Sequence, residues 1–244
     1  MKSVLLRLEG PLQSWGIRSR FPHRDTEREP SKSGVLGLVG SALGMPRDDD
    51  RRLAALATAR MGVRVDREGG TMVDYHTAGA GRFAGEEHRV HGNKDPVITH
   101  RAYLTEASFL VALEYTDDAL AEEIDRGLRS PHWTPFLGRR SCSPSLPVAA
   151  GVVDVDAETA LRSAPWPSST PPAEHVRLVL ECPPTDGEAR QDVPLSFRLH
   201  ARHFARRFVR TAWIEPGELS LAPADAAPVS LVALRRSQAA SPAR

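Results

Sequence analysis

The alternation of short apolar runs with helical segments is the feature of this sequence that most restricts its fold. Residues 3–8 (SVLLRL) form an aliphatic run that ends at a Gly-Pro pair, which is typical of an opening β-strand and a turn. A polar, arginine-rich stretch follows at residues 13–33, and its two prolines exclude a continuous helix. Ser31 or Ser33 can then cap a helix over SGVLGLVGSALGM. The loop before this helix is longer than an ordinary connection, which suggests a function.

The same alternation continues further along the chain. Residues 53–59 extend or follow the first helix, and residues 117–129 fit an amphipathic helix with one apolar stripe. Strand-like runs lie between them at residues 61–65, 71–77, 97–104 and 107–115. In order along the chain these are a strand, a helix, four strand-like runs and a helix. If the middle strands are long or doubled, this order predicts an α+β fold with a ferredoxin-like domain, which is the scaffold of RNA-recognition domains.

We expect the chain to divide into three parts. Residues 1–147 would form the ferredoxin-like domain, with a glycine-rich, charged insertion at about residues 78–100 that makes a protruding β-hairpin. Residues 148–236 would form a smaller, mostly β region, and residues 237–244 a disordered tail. Strands of the smaller region are expected at residues 176–181, 193–199 and 208–214, after a proline- and serine-rich linker at residues 163–172.

Several classes of protein are excluded by composition. With 41% apolar and 26% charged residues, the chain has the make-up of an ordinary globular protein. No apolar run approaches the roughly 20 residues that cross a bilayer, and charges interrupt the first residues where a signal peptide needs an apolar stretch. We therefore expect a cytoplasmic protein without a membrane span. Cys142 and Cys182 are too few for a disulfide framework or a zinc pair, so we expect reduced thiols, no metal and no cofactor.

The net charge of +1 conceals a separation of acidic from basic stretches. Residues 198–210 (RLHARHFARRFVR) carry five arginines, two histidines and no acid, whereas residues 117–125 are mostly acidic. Arginines interleaved with aromatic residues suit a nucleic acid, because guanidinium groups pair with phosphates and rings stack on bases. A solvated charged face is an equally good interpretation of this composition.

Five motifs in order resemble a known family. They are GPLQSWG at residues 10–16, HRDTEREPSKSGVLGL at 23–38, DYHTAG at 74–79, LGRRSC at 137–142 and RQDVPLSFRLHARHFARRFVR at 190–210. Together they resemble the Cas-five family of type I-E CRISPR systems, within the RAMP superfamily, over most of the chain. A single element such as QSWG would be a weak signal, but several motifs in the right order make an accidental match improbable.

The resemblance implies a subunit of the Cascade antiviral surveillance complex. Such a subunit holds the 5′ handle of the CRISPR RNA, contacts the backbone and large subunits, and reaches target DNA only through the complex. The expected hairpin would correspond to the family's thumb, which folds over the guide RNA. No membrane partner is implied.

The expected RNA contacts lie in the N-terminal loop, the hairpin and a turn at Gly138. Trp15 could stack on a base, although a core aromatic is the alternative, and the helix start at residues 31–33 could bind phosphate, although ordinary capping is the alternative. Tyr75 and His76 could contact RNA or form a buried pair. The full expected set is Gln13, Ser14, Trp15, Arg18, Arg20, Arg24, Ser31, Lys32, Ser33, Tyr75, His76, Arg82, Arg89, Lys94, Arg101, Arg139, Arg140 and Ser141.

A metal-independent endoribonuclease that trims repeat RNA is the rival function. Such an enzyme needs a base for a 2′-hydroxyl and an acid for the leaving oxygen, and candidates are Tyr75, His76, Lys94, His100 and Tyr103. The resemblance favours binding without cleavage, because type I-E systems are understood to use a separate processing nuclease. A purely structural partner without RNA contact would leave the arginine blocks unexplained.

Overall fold

The computed structural model describes residues 1–17, 22–78 and 97–222, together with the backbone of two short strands at 82–83 and 86–87. Its helices are α1 (Lys32–Ala42), α2 (Asp50–Ala57), α3 (Asp118–Arg129) and α4 (Ala157–Ser163). Its strands are β1 (Lys2–Glu9), β2 (Leu12–Gln13), β3 (His23–Arg24), β4 (Arg60–Arg67), β5 (Gly70–Ala78), β6 (Arg82–Phe83), β7 (Glu86–Glu87), β8 (Val97–Thr105), β9 (Ser108–Tyr115), β10 (Ala149–Val153), β11 (Val176–Cys182), β12 (Glu188–Ser196) and β13 (His203–Ile214).

Seven strands form one antiparallel sheet in the order β10-β1-β9-β4-β11-β13-β12. Both faces of this sheet are covered, which explains why β1 is a continuous apolar run rather than an alternating one. Leu6 and Leu8 point into a core that α1, α2 and α3 close. Leu5 points into a second core, on the opposite face, that α4 and Trp166 close. The strand therefore contributes to two cores at once.

A smaller sheet projects from the turn after β4. Strand β5 pairs with β8 along its full length, from Gly70 opposite Thr105 to Ala78 opposite Val97, and we call this pair with β3 the ribbon. Strands β2 and β3 also pair with β8, β2 antiparallel and β3 parallel. The turn into the ribbon needs Gly69, whose φ is +73° and whose Cβ would lie 2.2 Å from the carbonyl oxygen of Thr105.

The structure confirms an α+β fold rich in sheet. The strand and helix order expected up to residue 129 is present, with residues 53–57 in a separate helix, α2. Strands expected at 176–181, 193–199 and 208–214 are present as β11, β12 and β13, although β12 is displaced towards the N-terminus and β13 starts earlier. The division at residue 147 stays a prediction, and strands from both sides of it share the seven-stranded sheet. The predicted tail lies outside the described residues.

In the described ranges, none of the helices has the length and apolar content that crossing a bilayer requires.

A buried cluster of charged side chains ties the start of α1 to the C-terminal strands. Asp192 accepts two hydrogen bonds from Arg207, Nε to Oδ1 at 2.7 Å and Nη2 to Oδ2 at 2.9 Å. The same carboxylate accepts the backbone N–H of Lys32 at 2.7 Å. The ammonium of Lys32 donates to Glu181 at 3.1 Å and to the carbonyl of Ala59 at 2.6 Å. Asp192, Lys32 and Arg207 are all nearly inaccessible to solvent.

The ionisation of this cluster follows from its contacts. Burial opposes the charged form of Asp192, but the hydrogen bonds and charge of Arg207 outweigh it, so the pKa of this carboxyl lies below its ordinary value. Burial lowers the pKa of Lys32, and the charge of Glu181 only partly offsets that effect. The carboxylate of Asp192 therefore stays charged at any pH near neutrality, with its cation beside it.

We predict that Asp192→Ala destabilises the fold strongly. Removal of the carboxylate leaves Arg207 buried without its main partner, and breaking a buried pair in this way costs about 3–5 kcal/mol. The free energy of unfolding, measured by urea denaturation at pH 7, should fall by that amount.

Arg52→Ala is the matched control for this prediction. It breaks an ion pair with Glu123 at 2.9 Å whose side chains are 42% and 47% exposed. Exposed pairs contribute about 0–1 kcal/mol, so this variant should unfold close to wild type. Equal unfolding energies for the two variants would show that the buried cluster does not hold α1 in place.

Candidate nucleic-acid interface

Gln13 and Trp15 are internal and do not present surface to a ligand. The amide nitrogen of Gln13 donates to the carbonyl oxygens of Leu8 at 3.1 Å and Ala107 at 2.8 Å. Its amide oxygen accepts the indole N–H of Trp15 at 3.0 Å. Both side chains are at most 1% exposed. This corrects the expectation that Trp15 stacks on a base and that Gln13 bonds to one; the core aromatic was the right alternative.

Ser14 lies between these two residues and is also buried. Its hydroxyl is 3.4 Å from the carbonyl oxygen of Ala102, and its backbone packs against Gly138. A Cβ at Gly138 would lie 1.7 Å from the carbonyl oxygen of Ser14, and the φ of Gly138 is +86°. The expected turn at Gly138 is therefore present. Ser14 packs against this turn and does not face a ligand, which corrects the expected role of Ser14.

The start of α1 is already occupied by groups of the chain itself. Ser31 caps the helix by accepting the N–H of Gly34 at 3.3 Å, and its hydroxyl is 3.5 Å from that of Ser33. The N–H of Lys32 and its ammonium bond to Asp192 and Glu181, as described above. Since a carboxylate fills the place that a phosphate would take, the expectation of phosphate binding by Ser31, Lys32 and Ser33 is corrected to ordinary capping.

Arg139 clamps two strands of the ribbon instead of projecting into solvent. It donates to the carbonyl oxygens of Ala102 at 3.0 Å and Arg24 at 2.9 Å. Its guanidinium lies 4.5 Å from the ring centroid of Tyr103, which is buried. These contacts fix β3 against β8. The expectation that Arg139 binds phosphate is therefore replaced by a positioning role, while Arg140 and Ser141, which follow it, are exposed.

The two faces of the ribbon differ in chemistry. Strand alternation places Tyr75, His100 and His23 on one side, which we call the ring face. Tyr75 is opposite His100 in the register, and His23 is opposite His100 across β3. The other side carries Arg24 and Arg101, which are opposite one another, and Asp74, which is opposite Arg101 on β5; we call it the cationic face.

Rings on the ring face are in contact. The imidazoles of His23 and His100 stack with centroids 5.5 Å apart and planes inclined by 15°. Tyr75 meets His100 edge-on, with centroids 5.5 Å apart and planes inclined by 69°. Because Tyr75 is 61% exposed, the alternative of a buried Tyr75–His76 pair is wrong.

The residues proposed for RNA cleavage are divided by the ribbon. Tyr75 and His100 share the ring face, but His76 follows Tyr75 in the strand and so lies on the cationic face, 3.7 Å from Asp74. Tyr103 is buried beneath Arg139. The described part of the chain therefore does not bring these candidates into one set.

Some expected site residues fall outside the described side chains. Arg18, Arg20, Arg89 and Lys94 lie outside the described residues, and of Arg82 only the backbone, in β6, is described. Across the residues that the structure does describe, no three His, Cys, Asp or Glu side chains gather as ligands of a metal ion.

Much of the basic block at residues 198–210 serves the fold. Arg207 is buried in the charged cluster, Arg210 pairs with Glu158 at 2.6 Å and Arg198 pairs with Asp50 at 2.9 Å. The block therefore gives fewer open cations than its composition suggests. The sequence interpretation missed His23 altogether. No local pattern marks it, because its partner His100 lies on a strand that is distant in the sequence.

Comparisons with known proteins agree on one family. The family of CRISPR-associated proteins described as Cas5 matches residues 3–210. The Cascade subunit CasD of the CRISPR system of Escherichia coli (strain K12) is 39% identical over 159 residues, which is 61% of this chain and 70% of that protein.

Solved structures give the same result. A crystal structure of a Cas protein is 38% identical, with a TM-score of 0.73, and covers 91% of this chain and 99% of its own. A chain of a CRISPR RNA-guided surveillance complex is 34% identical, with a TM-score of 0.72, and covers 86% of this chain and 89% of its own. The family match extends over most of the sequence, and the chain belongs to the CRISPR-associated Cas5 family.

Proposed function

We propose that this chain is a non-catalytic, RNA-binding subunit of a type I-E Cascade complex that holds the 5′ handle of the CRISPR RNA. One observation carries the proposal: the chain is similar in sequence to a Cascade subunit and in fold to a chain of an RNA-guided surveillance complex. The ring and cationic faces of the ribbon supply the side chains that single-stranded RNA requires, which are rings for bases and guanidinium groups for phosphates.

The topology supports assignment of a ferredoxin-like domain with a thumb. Strands β10, β1, β9 and β4 are consecutive in the sheet, with α1 between β1 and β4 in sequence and α3 between β9 and β10. That is the βαββαβ arrangement, and the ribbon is inserted between its second and third strands. The ribbon, with the residues beyond it, is the natural candidate for the family's thumb.

The proposed phosphate contacts are arginines around the Arg139 clamp, of which Arg24 and Arg140 are exposed and Arg101 is half-buried. Arg24 lies on β3 and its carbonyl oxygen accepts a hydrogen bond from Arg139, while Arg140 follows Arg139 directly. Arg101 lies opposite Arg24 in the register. The clamp thus keeps several guanidinium groups in one region, where they can bind successive phosphates.

Protein neighbours would be the backbone and large subunits, with target DNA reached through the complex. Large apolar side chains that the fold leaves open suit such contacts, since Trp133 is 47% exposed, Leu195 52% and Leu199 66%.

We predict that Arg140→Ala lowers RNA affinity and that Arg139→Ala lowers the stability of the fold. Arg140→Ala should weaken binding of handle RNA and reduce the slope of log affinity against log salt by about 0.7, the value for one phosphate contact on a single strand. Its free energy of unfolding should stay within about 0.5 kcal/mol of wild type, because the side chain is exposed. Arg139→Ala should instead lower stability, because β3 loses its clamp.

Arg51→Ala, at an exposed arginine of α2, serves as the matched control and should change neither quantity. Binding would be measured by fluorescence anisotropy at several salt concentrations, and unfolding by urea. An unchanged RNA affinity and salt slope in Arg140→Ala would remove this residue from the interface.

The isolated chain should bind handle RNA much more weakly than the assembled complex does. The cations of the isolated chain would contact only part of the RNA strand. In the complex, linked sites on neighbouring subunits raise the effective concentration of each site for the same RNA. Anisotropy titrations of one labelled RNA, at one salt concentration, would compare the two. Equal affinities would contradict the view that the handle is held between subunits.

Purified protein should not cleave repeat RNA in the absence of divalent metal. His76 lies on the opposite face of the ribbon from Tyr75 and His100, and Tyr103 is buried, so these described candidates do not gather as one catalytic set. Denaturing gels after prolonged incubation with chelator would test this. Specific cleavage that disappears in His100→Ala would establish the nuclease instead.

A further inference from the structure

The ring face of the ribbon is open, apolar and free of carboxylates at its described positions. Val73 is 62% exposed, Tyr75 61% and Ile98 41%, and Thr77 is also exposed. His100 and Ala102 complete the face on β8. An open surface of this kind suits the flat, uncharged face of a nucleobase better than it suits a phosphate.

The rings are held in place by a series of contacts that begins at Arg139. Arg139 bonds to the carbonyl oxygen of Arg24 and so fixes β3, while the N–H of His100 donates to the carbonyl oxygen of Pro22 at 2.8 Å. These bonds bring His23 against His100, and His100 meets the edge of Tyr75. An exposed tyrosine supported in this way loses little freedom when a ligand stacks on it.

We propose that the ring face binds one unpaired nucleobase, stacked on Tyr75, with His100 and His23 as positioning residues that hold the phenol ring. The proposal deepens the function proposed above and rests on it, because it names the part of the RNA that this face receives. Thr77, next to Tyr75 on the same face, presents a hydroxyl that can bond to an edge of the base. Guanidinium groups on the cationic face bind phosphates separately.

Fluorescence of 2-aminopurine tests the proposal, since stacking quenches it. Handle RNAs that carry 2-aminopurine at one position at a time would be titrated with the full-length chain. We expect quenching at one position with wild type and with Tyr75→Phe, and no quenching there with Tyr75→Ala or Tyr75→Leu. Affinity for RNA should fall on the order of tenfold in Tyr75→Ala, within the range for one stacked base. His100→Ala and His23→Ala should show weaker quenching than wild type.

Trp213→Ala is the matched control, because Trp213 is an aromatic residue on β13 of the large sheet that is 55% exposed. It should leave quenching and affinity unchanged. Wild-type affinity in Tyr75→Leu would indicate an apolar contact, such as a protein partner, and would overturn the stacking. Quenching that persists in Tyr75→Ala would also overturn it while leaving RNA binding intact. Failure of the wild-type chain to bind RNA, alone or assembled with its partner subunits, would overturn the proposed function together with this inference.

Discussion

The buried contact between Asp192, Arg207 and the start of α1 is the constraint on which the N-terminal half of this structure depends. It fixes where α1 begins, because the carboxylate accepts the N–H of Lys32. Gly34 then follows at a fixed place, and Trp15 packs against it so closely that a Cβ there would lie 2.8 Å from Cε3 of the indole. The indole in turn fixes Gln13, which bonds to two carbonyl oxygens. A contact between distant parts of the chain thus determines the path of the loop after β1.

The same series of contacts explains why we propose an RNA interface on the ribbon and not on this loop. Polar and aromatic groups with good RNA chemistry, Gln13 and Trp15 among them, satisfy each other inside the protein. A buried polar side chain that already has its partners would lose those bonds if it turned towards RNA, and each loss is costly. The ribbon, by contrast, has Tyr75 largely open to solvent.

Local patterns in the sequence predicted most of the elements but not the roles of their polar residues. The strand at residues 3–8, the cap at Ser31 and the stripe of α3 depend on neighbours within a few positions, so periodicity and capping rules found them. The expectation that Lys32 binds phosphate was wrong. Its actual partners, Asp192 and Glu181, are about 150 residues away in the sequence, and no local rule reveals them. The clamp at Arg139 was missed for the same reason.

Strand alternation places the rings and the guanidinium groups of the proposed interface on opposite faces of the ribbon. Tyr75 lies on the ring face and Arg101 on the cationic face of the same pair of strands. Arg139 connects the two faces, because it bonds to the backbone of Arg24, whose neighbour His23 supports the rings on the other face. Loss of this one guanidinium would therefore disturb the proposed phosphate contacts and the proposed base stacking together. A residue first interpreted as a phosphate ligand is better understood as the part of the fold that couples the two faces.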